Sequence, residues 1–363
     1  AIIISKHPSY YLDYEIRDDY AVVTDCKDNV KKVDIPEEIE GYPVVKIGAY
    51  AFEDCNVEVI NIPDSVKEIL TCTFYNCKRL REINLPESIE YIGYEAFENC
   101  SSIKEIIIPD SAEIIEFKAF ANCTSLKKAV LPDNENTIVF GNTFLNCTSL
   151  SEIIISDKIF NFSAADFKGC ENLKSWIITD TNSHFVKYND AIYTKDFKKL
   201  VFYPATAGFL DLHPETEIIG KCAFSANNKL TNIVIPENIK KIEFSAFFNS
   251  QNLRTVKFEN GLTEIEPQAF TYCPDLNEVI LPDTLETIGE DVFLACDNLK
   301  KITIPASVKE IGKDAVGYTT VIEDYFVGVD HWRNLENMII KGYKNTVAEK
   351  YAKENDIEFI ALD

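Results

Sequence analysis

The chain has 363 residues, and its 59 Asp and Glu outnumber its 36 Lys and Arg, which gives a formal net charge of −23. So high a net negative charge argues against a nucleic-acid partner and against binding to anionic membranes, because both need basic patches on the protein. A hydrophobic content of 46% excludes wholesale disorder, and no stretch approaches the ~18 consecutive apolar residues of a membrane-inserted helix.

The first fifty residues carry short alternating segments without a repeat. Leu12, Tyr14 and Ile16 alternate with polar residues and predict a strand, and residues 20–24 predict a second one. The first repeat strand follows at residues 33–35. Because the open end of a stacked array needs a cover, we expect residues 1–52 to form an N-terminal cap.

One short unit then recurs over residues 53–319. Residues 80–102, LREINLPESIEYIGYEAFENCSS, show its three pieces: an alternating strand, a bend at Gly93 and a helical or 3₁₀ turn around Phe97. A Phe marks the copies, at Phe52, Phe74, Phe97, Phe120, Phe144, Phe167, Phe224, Phe247, Phe270 and Phe293, with Val316 in the last one. No unit can bury its apolar side alone, so the period predicts a repeat solenoid, mainly β with short helical turns, built from coils of about 23 residues between terminal caps.

A cysteine follows the repeat Phe by three residues in most copies, and Asn227, Ser250 and Thr319 fill the same slot elsewhere. A slot with this choice of residues favours a small side chain that hydrogen-bonds to backbone. Stacking brings such thiols about 5 Å apart, but their parallel Cβ vectors disfavour disulfides. We therefore expect all eleven cysteines to be free thiols, and the lack of a CxxC pair argues against a zinc site.

Residues 179–212 interrupt the period. Two alternating runs in FVKYNDAIYTKDFKKLVFYP, with turns at residues 189–190 and 195–196, predict a β-hairpin or three-strand meander. Two roles remain open for its aromatic side chains: they pack on the neighbouring coil, or they offer a ligand surface. These residues are Phe185, Tyr188, Tyr193, Phe202 and Tyr203.

The end of the chain follows another pattern. Thr346 and Glu349 form the capping-box pattern of a helix that runs to Asn355, between strands at residues 338–340 and 357–361. We expect residues 320–363 to form a C-terminal β-α-β cap. The solenoid itself then covers residues 53–319, with the hairpin inserted at 179–212.

The pattern LxxIxIPxxIxxIGxxAFxxCxxL resembles the BspA-like, or treponemal-type, leucine-rich repeats. LPESIEYIGYEAFENC at residues 85–100 and IPENIKKIEFSAF at residues 235–247 carry the resemblance. It implies a right-handed curved solenoid on a secreted or cell-surface protein of host-associated bacteria or protozoa, used for adhesion. The implied partner is a protein, such as host extracellular matrix or another cell surface. No residue role follows from the resemblance, because the family has no fixed ligand motif.

Catalytic motifs are missing from the sequence. The histidines His7, His184, His213 and His331 are scattered, and no phosphate loop, HExxH or calcium loop is present. We expect no enzymatic activity, cofactor or metal. Two functions remain: a protein-binding, adhesin-like module, or a carbohydrate-binding or purely architectural surface spacer.

The concave strands suggest where a ligand binds. Alternation places the middle residue of each I-x-I strand outward, and five successive ones are β-branched aliphatics: Ile107, Val130, Ile154, Ile177 and Val234. Glu105, Lys128 and Glu152 run beside them as a charged rim. We predict that a protein ligand binds this stripe. The alternative is that β-branched residues merely suit a strand.

Overall fold

The computed structural model describes residues 4–6, 11–27, 30–158, 162, 164–173, 175–178, 181–204, 210–321 and 331–362. The chain divides into two compact units, residues 1–187 and residues 188–363. Each unit is built from the same short coils.

The first unit consists almost entirely of short strands. Its elements are β1 (Ile4–Lys6), β2 (Leu12–Arg17), β3 (Tyr20–Cys26), β4 (Lys32–Asp34), β5 (Glu38–Ile39), β6 (Tyr42–Ile47), β7 (Val59–Asn61), β8 (Glu68–Ile69), β9 (Glu82–Asn84), β10 (Tyr91–Ile92), β11 (Glu105–Ile107), β12 (Ile114–Ile115), β13 (Lys128–Val130), β14 (Ile138–Val139), β15 (Glu152–Ile155), the 3₁₀ helix η1 (Ala164–Phe167) and β16 (Ser175–Ile178), with β17 (Phe185–Tyr188) at the boundary between the units.

Each coil contributes two strands. The first strand, of three or four residues, pairs in parallel with the first strands of neighbouring coils, as β4-β7-β9 and as β11-β13-β15-β16. The second strand, usually of two residues, continues a parallel ladder from β6 through β8, β10 and β12 to β14. The antiparallel strands β1, β2 and β3 precede this ladder, and β3 joins β6 in parallel.

The second unit repeats this plan and ends in a helix between two strands. Its elements are β18 (Ala191–Thr194), β19 (Lys199–Phe202), β20 (Ile218–Ile219), β21 (Asn232–Ile235), β22 (Lys241–Ile242), β23 (Thr255–Phe258), β24 (Glu264–Ile265), β25 (Glu278–Ile280), β26 (Thr287–Ile288), β27 (Lys301–Thr303), β28 (Glu310–Ile311), β29 (Tyr318–Val321), β30 (His331–Asn334), β31 (Ile339–Tyr343), α1 (Val347–Glu354) and β32 (Glu358–Leu362).

The repeat Phe residues form the centre of each core. In the first unit the ring of Phe97 stacks between Phe74 and Phe120, with centroid distances of 5.0 and 5.1 Å. In the second unit Phe247 stacks between Phe224 and Phe270 at 4.7 and 4.8 Å. All of these rings are buried. Together with the parallel ladders, they confirm the predicted solenoid of stacked coils.

The turn around the repeat Phe consists of isolated turns with the three-residue hydrogen-bond spacing of the 3₁₀ alternative, not of a continuous helical segment. The N–H of Ala96 donates to Gly93 and that of Cys100 donates to Phe97, but the N–H of Phe97 itself donates to Ala119 in the next coil. Glu95 and Asn99, on either side of Phe97, have φ of 54° and 64°. These left-handed residues break the chain into isolated turns, and the freed backbone groups link neighbouring coils.

The residues three positions after the repeat Phe behave as the sequence predicts. All eleven cysteines are buried free thiols. Those of the slot donate hydrogen bonds to backbone carbonyl oxygens, and Ser250 does the same. Asn227 donates from its amide to Pro204. Small size and a hydrogen-bond donor are therefore what the slot requires.

The interruption of the period contains an antiparallel pair, β18 and β19, and β19 then joins β20 in parallel. Tyr193, Phe202 and Tyr203 are buried in the second unit, and Phe185 is buried in the first. These four side chains therefore pack inside the protein and do not form an exposed ligand surface. The limits 1–52, 53–319, 179–212 and 320–363 given to the caps, the solenoid and the insertion stay predictions.

The C-terminal helix is present, but its predicted capping box is wrong in detail. Thr346 makes no side-chain cap to the helix, and its hydroxyl donates to the carbonyl oxygen of Tyr343 at 2.6 Å. Glu349 instead accepts from the N–H of Asn345, one residue before the N-cap, at 2.7 Å. The carboxylate therefore still binds an N–H at the start of the helix, but one residue earlier than predicted.

Candidate functional site

Four of the five predicted stripe residues are direct neighbours across one parallel sheet of the first unit. Ile107 on β11 pairs with Val130 on β13, Val130 pairs with Ile154 on β15, and Ile154 pairs with Ile177 on β16. Ile107 is 56% exposed and Ile177 is 41% exposed, whereas Val130 and Ile154 are half-buried. We call these four residues the apolar stripe.

The fifth predicted residue, Val234, belongs to the sheet of the second unit. It lies on β21 and is 49% exposed, and its neighbour on β23 is Lys257. Lys257 in turn pairs with Ile280, and Ile280 pairs with Thr303. The outward row of the second unit therefore alternates apolar with polar side chains. The structure brings four of the five residues together and places Val234 in a mixed row.

The predicted charged rim lies beside the stripe on the same strands. Glu105, Lys128 and Glu152 are lateral neighbours on β11, β13 and β15. The ammonium of Lys128 is 2.8 Å from the carboxylate of Glu105, and this hydrogen bond raises the pKa of Lys128. The pair is solvent-exposed, so it contributes little to stability. Its position next to the apolar row resembles the polar border of a protein interface.

A groove that the sequence did not predict borders the stripe. Within residues 30–158, where every residue is described, β9 and β11 share no ladder pairing, although β9 pairs with β7 and β11 pairs with β13. A groove of about 480 Å³ lies at this break and is lined by Glu82, Asn84, Glu87, Lys104, Glu105 and Ile107, among others. Ile107 thus belongs both to the stripe and to the groove wall.

The sequence does hold a signal for this break. Glu82 and Glu105 occupy the same position in consecutive coils, and like charges at directly opposite positions destabilise strand pairing. Each of the two carboxylates has a basic partner on its own side of the break: Arg81 for Glu82 and Lys128 for Glu105. The charges therefore favour two separate sheets, β4-β7-β9 and β11-β13-β15-β16, over a pairing of β9 with β11.

The cysteine thiols are buried, and the ring of His213 stacks on an aromatic neighbour. Burial raises the pKa of Cys100, Cys147 and Cys170, which makes these thiols poor nucleophiles. The ring of His213 stacks on Phe197 at 3.9 Å. His7 lies outside the described residues. Among the residues that the structure does describe, no group of three or more His, Cys, Asp and Glu side chains is arranged to hold a metal ion.

No helix among the described residues combines the length and apolar character that crossing a bilayer requires. The helix α1 has eight residues.

Comparison with known proteins gives consistent relatives. The sequence profile of the BspA type leucine rich repeat region matches in six copies, over residues 45–174 and 195–326. A search of curated protein sequences gave no significant match.

Two solved structures show the same fold over nearly the whole chain. The pneumococcal vaccine antigen PcpA is 19% identical, with 99% of each chain covered and a TM-score of 0.64. A leucine rich cell surface protein from Faecalibacterium prausnitzii is 18% identical, with 99% of this chain and 95% of that chain covered and a TM-score of 0.58. At these identities the likeness establishes the fold alone.

Proposed function

Because this chain belongs to the BspA type leucine-rich repeat family, we propose that it is a non-enzymatic, adhesin-like module that binds a protein through the apolar stripe. The membership supports a protein-interaction repeat module. The proposal adds a location on the chain and a kind of contact. We also propose that the protein is secreted or attached to a cell surface; the name of the Faecalibacterium relative describes that protein as a cell surface protein.

The observation that carries the proposal is the register of Ile107, Val130, Ile154 and Ile177. Strand pairing holds these side chains side by side, so at the usual strand spacing of about 4.8 Å they form a row of about 14 Å. A continuous apolar row costs solubility unless a partner covers it. The second unit interrupts its own row with Lys257 and Thr303, so the repeat itself does not require an apolar side chain there.

The chemistry of the stripe favours a protein over a sugar. Sugar rings stack on aromatic faces, but the four side chains are aliphatic. The neighbouring Glu105, Lys128 and Glu152 supply charges of both signs at the border, as protein interfaces do. The groove beside Ile107 adds a concave edge in which a partner side chain fits.

The test uses the double variant Ile107→Asp with Ile154→Asp and measures binding to immobilised fibronectin, laminin and type I collagen. We expect the parent protein to bind at least one of these matrix proteins and the double variant to lose affinity by about tenfold or more. Ile280→Asp is the matched control, because Ile280 is also an outward, exposed isoleucine on a first strand. We expect this control to bind like the parent.

If the double variant and the Ile280→Asp control lose affinity equally, the stripe is not the binding site. Binding to a glycan array without binding to any matrix protein would instead favour the carbohydrate-binding alternative. Val234→Asp asks whether the fifth predicted residue contributes, and we expect a smaller loss from it because its lateral neighbour Lys257 is charged.

A further inference from the structure

The same three-residue sequence follows a second strand in both units. Ile115-Glu116-Phe117 begins on β12, and Ile242-Glu243-Phe244 begins on β22. In each copy the Phe lies three residues before a repeat Phe, Phe120 or Phe247. The two Glu-Phe pairs therefore occupy the same position in their coils, and their surroundings can be compared residue by residue.

In the second unit both members of this Glu-Phe pair contact lysine side chains. The ammonium of Lys199 is 2.6 Å from a carboxylate oxygen of Glu243. The ammonium of Lys221 lies over the ring of Phe244, 5.7 Å from its centroid, and the backbone N–H of Lys221 donates to Glu243 at 3.0 Å. The carboxylate and the ring face thus both have a lysine partner from within the chain.

In the first unit both lysines are replaced. Two coils before Glu116 on the second-strand ladder, Glu68 takes the position that Lys199 has two coils before Glu243. One coil before Glu116, Tyr94 takes the position that Lys221 has one coil before Glu243. Over the fully described residues 30–158, the carboxylate of Glu116 has neither an ion pair nor a hydrogen bond, and the ring of Phe117 is 44% exposed. The first-unit copy therefore presents the same two groups without their cation.

An aromatic residue stands in the coil on either side of the Glu116–Phe117 pair. The ring of Phe140, in the following coil, lies 5.3 Å from the ring of Phe117. Phe140 occupies the position of Glu266, which in the second unit accepts from the N–H of Phe244 at 2.8 Å. Tyr94, in the preceding coil, is 42% exposed. The nearby cation Lys118 is held by Glu95 at 3.0 Å.

We propose that Glu116 and Phe117 form a binding site for a lysine side chain of a partner protein, between Tyr94 and Phe140. The ammonium sits against the carboxylate of Glu116 and the face of Phe117, as the chain's own lysines do at Glu243 and Phe244. The aliphatic stem of the lysine packs along the aromatic border. The net charge of −23 attracts a basic partner from a distance. This site lies on the second strands, so it is separate from the apolar stripe and does not depend on it.

The test measures binding of a fluorescein-labelled peptide of four Gly-Lys repeats by fluorescence anisotropy at about 0.15 M salt, where long-range attraction is screened. We expect Glu116→Gln to weaken binding about tenfold, because the charged hydrogen bond is lost. Tyr94→Lys copies the second-unit arrangement and fills the site from within, so we expect a loss of about the same size, roughly tenfold. A peptide with acetylated lysines should bind no variant measurably.

Glu113→Gln is the matched control, because Glu113 is an exposed carboxylate three residues from Glu116 and its removal changes the net charge equally. We expect this control to bind within about twofold of the parent. Equal weakening by Glu113→Gln and Glu116→Gln would overturn the site, since it would show diffuse attraction. Unchanged binding by a Tyr94→Lys variant with a parental melting curve would overturn it too, as would failure of the parent to bind the lysine peptide.

Discussion

The thiol of Cys100 donates a hydrogen bond to the backbone carbonyl oxygen of Phe74, the repeat Phe of the preceding coil, with a Sγ–O distance of 3.1 Å. The same bond recurs along both units at 2.9 to 3.3 Å, from Cys77, Cys123, Cys147, Cys170, Cys273 and Cys296. Ser250 makes it with its hydroxyl, to Phe224 at 3.1 Å. One small side chain per coil thus ties that coil to the one before it.

Replacing this side chain separates its size from its hydrogen bond. We expect Cys100→Ser to lower the free energy of unfolding by less than Cys100→Ala, because serine keeps a donor to Phe74 as Ser250 does to Phe224. The alanine variant loses a bond worth about 1 kcal/mol and leaves a small cavity. Urea denaturation of both variants measures the difference. A more stable alanine variant would show that only size matters in the slot.

The thiols themselves can be counted. All eleven are buried and free, so we expect the folded protein to react slowly with a thiol reagent and the denatured protein to release eleven equivalents without reductant. The measurement is a colorimetric titration before and after addition of guanidinium chloride. Nine equivalents from fresh protein would reveal a disulfide and contradict the expectation.

The Phe stack gives a stability prediction. Phe97→Ala removes a buried ring between Phe74 and Phe120, and we expect a loss of about 3–5 kcal/mol from the cavity. Coils contact only their neighbours, so the unfolding transition should also become less cooperative. Tyr94→Ala, in the same coil but exposed, should cost less than about 1 kcal/mol. Calorimetry distinguishes the two, and matching melting curves would exclude Phe97 from the core.

Alkaline pH should destabilise the protein. Burial raises the pKa of the Cys100 and Cys296 thiols well above the ordinary value and raises the pKa of Tyr193 to about 12. These groups are neutral when protonated, so the unfolded chain ionises at lower pH than the folded one. Their contribution to stability is complete below about pH 8.5 and is lost as the pH rises through 10 towards 12.

Urea denaturation at several pH values between about 7.5 and 11 measures this loss. A Cys100→Ser variant should show a shallower decline, because one titrating thiol is absent. Unfolding free energies that stay constant over this range would mean that the thiols and Tyr193 ionise equally easily in both states.

The sequence predicts the core well because one rule is repeated in every coil. A Phe with a small polar residue three positions later specifies the stack and the hydrogen bond to the preceding coil. Alternation also predicts the strands correctly, since Ile106 and Ile108 are buried while Ile107 between them is exposed. Each of these statements needs only residues of a single coil.

Features that depend on neighbouring coils were missed. The break between β9 and β11 lies where Glu82 and Glu105 occupy the same position in consecutive coils. The Glu116–Phe117 pair becomes distinctive only when Tyr94 is compared with Lys221. The charge and aromatic content of one coil cannot show these relations. That Val234 belongs to another sheet than the stripe also cannot be read from one coil, since β16 and β21 are the end strands of two different sheets.

The break between β9 and β11 also has a mechanical consequence. Across the same two coils the second-strand ladder is intact, since Tyr91 on β10 pairs with Ile114 on β12, and the rings of Phe97 and Phe120 remain stacked at 5.1 Å. The two coils are therefore joined through their second strands and not through their first strands. We therefore expect bending of the first unit to concentrate at this place, where no first-strand pairing resists it, and to change the width of the groove beside Ile107.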